Sequence, residues 1–254
     1  MVKTGCVFLA AAASILLSAA ANQPSESALA GGQKLAAELR SMTPAKDLQV
    51  HGILKIRKHD GKRTRVPFGY RIIIGDGHWQ SIYETQPSDT IPGERLVVVH
   101  AEGRPNRYLH SRLAGSERAW AEPAALSGGE AMVPFAGSDF WLADLGLEFL
   151  HWPQQRLVEE ARIRMRKGRP CKVLESVNPA SNAAGYTRVR SWIDTESGGI
   201  ILAEAYGSDG KLMKAFEIGG MTKVNDNWEL KSMEMWSAPT DSLSLLEFKY
   251  GQEP

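Results

Sequence analysis

The stretch RVPFGYRIII, Arg65 to Ile74, alternates without a break: Val66, Phe68, Tyr70, Ile72 and Ile74 fall on one side of an extended chain. Successive side chains of a strand point to opposite faces, so this period of two describes a strand with one buried face. The pattern continues outward in both directions. Upstream, DLQVHGILKIRK places Leu48, Val50, Leu54 and Ile56 on one side, and His59-Asp60-Gly61-Lys62 turns the chain back. Downstream, Gly75-Asp76-Gly77 closes a second turn, followed by HWQSIYE, RLVVVHAE and RYLHSRL, the last two joined at Gly103-Arg104-Pro105-Asn106. A second series begins at RLVEEARIRMRK and RPCKVLESV, a hairpin around Lys167-Gly168. It continues through GYTRVRSWIDT, GIILAEAYGS, KLMKAFEIGGMTKV, NWELKSMEMWS and SLSLLEFK. Strands separated by short turns build an antiparallel meander.

Two segments depart from this alternation. ALAGGQKLAAELRSM, Ala28 to Met42, has helical composition, although Gly31 and Gly32 weaken its first turns. GSDFWLADLGLEFLHWPQQRLV, Gly137 to Val158, carries Trp141, Leu145 and Phe149 at every fourth residue before Pro153, which predicts a short helix started by Ser138 or Asp139. Ala114 to Pro134 reads as a crossover loop. The fold class expected is α+β: a strongly curved antiparallel sheet of about eleven strands, an unclosed half-barrel, covered by two or three helices.

At the N-terminus, Lys3 precedes the apolar run CVFLAAAASILLSAAA, and Ala19 and Ala21 form an A-x-A site before Asn22. This order predicts a secretory signal peptide over residues 1–21 and a single domain over residues 22–254. Cleavage would remove Lys3 and leave 29 basic residues of the 30 against 29 acids, a balance that argues against nucleic-acid binding through net charge. Of Cys6 and Cys171 only the second would survive, as a small side chain in an alternating strand.

Catalytic signatures are absent. The six histidines, at 51, 59, 78, 100, 110 and 151, lack metal-ligand spacing, and the chain has no G-x-S-x-G elbow and no phosphate-binding glycine loop. Asp139 and Asp144 would point in different directions from one helix, which disfavours a carboxylate pair; Asp139 reads as a helix cap and Asp144 as a solvent-side residue. Arg162, Arg164 and Arg166 form a basic face. It suits either a solvated sheet surface or contact with anionic headgroups or an acidic partner.

GSDFWLADL with FLHWP, then GRPCKVLESVNP, GYTRVRSWID, AYGSDGKLMKAFEI and NWELKSMEMWSAPTDS, occur in the order seen in the LolA-like outer-membrane lipoprotein-sorting proteins, which the chain resembles. The residues carrying the resemblance are Gly137, Asp139, Phe140, Asp144, Cys171, Tyr186, Trp192, Asp194, Asp209, Gly210, Lys211 and Lys214. The resemblance implies a periplasmic, non-enzymatic carrier that hides lipid or lipoprotein acyl chains between the sheet and its helices, without metal or cofactor. Phe140, Trp141, Leu145, Phe149, Trp192, Tyr206 and Phe216 are the candidate hydrophobic wall, although for any one of them plain core is the simpler reading. Transient membrane contact through the basic face would fit that role. The alternative is an envelope-stress sensor or adaptor on the same scaffold, with a membrane protein as partner.

Overall fold

The computed structural model describes residues 24–87, 91–114, 119–158, 162–179, 185–224 and 227–251. The expected signal peptide lies outside the described residues. Helix α1 spans Glu26–Ser41, capped by the Ser25 hydroxyl, which accepts from the backbone amide of Ala28. Strands β1 (Leu48–Arg57), β2 (Arg63–Gly75), β3 (His78–Thr85), β4 (Glu94–Ala101) and β5 (Arg107–Ala114) form the first meander. The short β6 (Ala119–Trp120) and β7 (Ala124–Leu126) both pair with β5, in the region expected to be a loop. A segment with one turn of helix, α2 (Leu142–Leu145), and a 3-10 turn at Glu148–His151 then crosses to the far edge. There β8 (Gln154–Leu157), β9 (Arg164–Arg166) and β10 (Arg169–Val177) begin the second meander. It runs through β11 (Arg188–Asp194), β12 (Ile200–Tyr206), β13 (Leu212–Val224), β14 (Asn227–Ser237) and β15 (Ser242–Lys249).

These fifteen strands make one curved, open, antiparallel sheet, more than the eleven or so expected because four of them, β6 to β9, have four residues or fewer. The two meanders meet where β1 pairs with β15, with Leu54 opposite Leu246 and Gly52 opposite Phe248. The concave face of the sheet carries the core. Val50, Leu54, Val66, Phe68, Leu96, Leu246 and Phe248 are buried on it, and Phe68 meets Phe248 edge-on at 5.5 Å between ring centres.

Helix α1 lies against the β8 edge of this trough. Its glycines have a structural reason. A Cβ on Gly32 would stand 2.3 Å from the Arg156 Cα, so only glycine lets helix and strand backbones approach this closely. Gly32→Ala should therefore cost about 1–3 kcal/mol despite alanine's better helix propensity. Urea unfolding would show the lowered midpoint; an unchanged or raised midpoint would mean that the helix does not sit this close.

Candidate functional site

The segment from Pro134 to Pro153 spans the trough as a strap and is pinned to both walls. At one end Asp139 is buried, accepting from the hydroxyls of Ser242 and Ser244 on β15, while its own amide donates to Ser244 at 2.9 Å. It does not cap a helix. The helix predicted over this stretch is interrupted after α2, because Gly146 packs where a Cβ would lie 2.4 Å from the Tyr108 hydroxyl and Leu147 takes a left-handed φ of 51°. On the β5 wall, Asn106 donates to the Gly146 carbonyl at 2.6 Å and Tyr108 donates to the Glu148 carboxylate at 2.9 Å. Burial raises the Glu148 carboxyl above the usual range, and the Tyr108 hydrogen bond offsets part of this.

On the opposite wall the strap is held by Asp144, which is not solvent-side. Its carboxylate accepts from the Trp141 amide at 2.7 Å, the Tyr186 hydroxyl at 2.6 Å and the Lys214 ammonium at 2.8 Å. Lys214 also sits 3.6 Å from the centre of the Trp141 ring, which stacks on Tyr186 at 5.4 Å. Burial lowers the Lys214 pKa, and the Asp144 charge pulls it back toward its ordinary value. Three residues that carried the family resemblance thus converge on one buried node.

Beyond the strap the trough is not filled. A cavity of about 1210 Å³ lies between the concave face of β2 to β4, the facing strands β13 and β14, the strap, and the C-terminal half of α1. Phe140, Leu145, Phe216, Met233, Tyr70 and Tyr83 give its apolar interior. Its mouth is at the end of the sheet carrying the β2–β3, β4–β5 and β11–β12 turns, where Met42, Ile74 and Leu147 stand 38–51% exposed. A smaller hollow of about 30 Å³ lies on the other side of Asp144, lined by Phe149, Tyr186, Lys214 and Phe216.

Of the wall residues expected from the sequence, Phe140, Leu145 and Phe216 line the large cavity and Phe149 and Phe216 the small one. Trp141 packs in the Asp144 node. Trp192 and Tyr206 project from the outer face of the sheet, under Arg166 at 5.3 Å and Arg188 at 4.1 Å respectively, so the fold does not bring them to the cavity. Their neighbours in the alternation, Arg188, Arg190 and Glu204, are the signal that marks this outer face. Arg162, Arg164 and Arg166 are exposed, with Arg166 committed to Trp192.

Several polar groups in the cavity were not singled out by the sequence. His100 stacks on Trp79 at 3.8 Å, and its Nε2 lies 3.2 Å from the Ser81 hydroxyl. Burial pushes the pKa values of His100 and His151 down to about 4, so both are neutral at pH 7. Among the described residues no group of three or more histidine, cysteine or acidic side chains is placed to hold a metal ion, and no helix is long and apolar enough to cross a membrane.

Residues 119–251, just over half of the chain, match a family whose description reads "uncharacterized protein". The chain belongs to that family. No curated protein sequence matches it. Solved structures with a similar fold include a DUF1329 family protein from Desulfovibrio piger (TM-score 0.68, 16% identity) and a domain described as an outer membrane lipoprotein-sorting protein from Vibrio parahaemolyticus (0.67, 18%). A third is a LolA superfamily protein from Nitrosomonas europaea (0.58, 16%). Each alignment covers 89% of this chain and 95% of the other. The chain has the LolA-like fold.

The Asp144 node makes a direct prediction. Lys214→Met leaves a buried carboxylate without its cation and should cost about 3–5 kcal/mol in urea unfolding. Asp144→Asn combined with Lys214→Met should recover much of that loss; a single variant as stable as the parent would remove the node from the account.

Proposed function

We propose that the protein is a non-enzymatic carrier that takes up lipid or the acyl chains of lipoproteins in the cell envelope, exported to the periplasm by its N-terminal segment. One observation carries this reading: the curved sheet and its strap enclose a large apolar hollow that opens at one end. Its volume lies above the roughly 300–1,000 Å³ typical of small-molecule pockets. Burying about ten methylenes there would contribute roughly 8 kcal/mol before the costs of association, so a longer acyl chain is needed for tight binding. No nucleophile, metal or cofactor is needed for such binding. The likeness to a lipoprotein-sorting domain and a LolA superfamily protein supports the same reading.

Protein purified without detergent should release lipid on organic extraction, detected by mass spectrometry, and should bind a fluorescent fatty acid after delipidation. Ile74→Glu places a charge on an exposed side chain at the mouth and should weaken that binding at least tenfold with little change in melting temperature. Failure of the parent protein to yield lipid or bind the probe would overturn the carrier reading.

A further inference from the structure

The charges around the cavity are unevenly matched. Among its lining carboxylates, Asp144 is paired with Lys214 and Glu38 lies 3.9 Å from Lys34. Arg40 stands apart. It sits in the last turn of α1, donates one guanidinium N–H to the Leu150 carbonyl, and among the described residues pairs with no carboxylate. A guanidinium has five N–H donors in a planar fork, so this bond leaves most of its capacity for another acceptor.

The groups beside it are also basic. His151 follows Leu150 directly and lines the same cavity, as do His100 and the Ser81 hydroxyl. Burial is the main reason both imidazoles are neutral; the Arg40 charge further disfavours protonation of His151, and His151 does the same to His100. No carboxylate contributes to either shift. This side of the cavity therefore presents a guanidinium that pairs with no carboxylate among the described residues, beside neutral hydrogen-bonding groups and an apolar interior.

We propose that the cavity binds an amphiphile with a negatively charged head, a carboxylate or a phosphate, its head against Arg40 and its tail along Phe140, Phe216 and Met233. The proposal rests on the carrier reading and narrows the cargo to a lipid with an acidic head. A bidentate, charge-assisted contact supplies the selectivity, and the apolar wall supplies most of the affinity.

The test is titration calorimetry of the delipidated protein with palmitate, lysophosphatidate, hexadecanol and hexadecyltrimethylammonium. Palmitate or lysophosphatidate, or both, should bind about tenfold or more tighter than hexadecanol, and the cationic amphiphile should bind weakest. The ranking of the two anions identifies the head as carboxylate or phosphate. Arg40→Gln should remove the advantage of the anions while leaving hexadecanol affinity nearly unchanged, and Arg40→Lys should retain part of it. Equal affinities across the series, or an unchanged anion advantage in Arg40→Gln, would overturn the headgroup assignment and leave the carrier reading standing. Absence of binding by all four would overturn both.

Discussion

The buried contact between Asp144 and Lys214 governs how the trough of this sheet is divided. A charged pair removed from water is worth keeping only if its remaining hydrogen-bonding capacity is met, and here the carboxylate also accepts from Tyr186 and from the Trp141 amide. These bonds fix the strap at a defined depth against β13, as Asn106 and Tyr108 fix it against β5. On one side of the strap, toward Asp139 and β15, Leu54, Val66, Phe135, Ala136 and Leu246 pack into continuous core. On the other side the walls diverge and the hollow remains. A sheet this curved has a concave surface too wide for its own side chains to cover, and the position of the strap decides how much of it stays open.

Much of the architecture was legible in the sequence. Alternation located the long strands, and Gly61, Gly77, Gly168 and Gly210 marked turns in which the backbone adopts positive φ. The short strands β6 and β7 were hidden because two or three residues give no period. The strap was misread for a different reason. Its four-residue spacing is real, but Gly146 and Leu147 break the helix to satisfy contacts with β5, and the partners of Asp139 lie more than 100 residues away. No local pattern reports such pairings.

The cavity shows the same limit. Phe140, Leu145 and Phe216 could be named as candidate wall because large apolar residues are few and conspicuous, whereas Trp192 and Tyr206 were equally conspicuous and face outward. Their strand parity, shared with Arg188, Arg190 and Glu204, separates the two groups once it is followed. Ser81 and His100 carried no signal at all. They are neighbours only through the pairing of β3 with β4. Arg40 likewise reads as an ordinary basic residue at a helix C-terminus until the strap brings Leu150 to it. Polar function in an apolar cavity is assembled by tertiary contacts and leaves little trace along the chain.

The most direct test of the account is a crystal structure of the protein complexed with a fatty acid brominated at its terminal carbon. The anomalous signal of bromine should lie inside the hollow, beside Phe216 and Met233, with the strap still bonded to Lys214 through Asp144. Bromine found only on the outer surface, or a hollow collapsed and filled by the protein's own side chains, would contradict it.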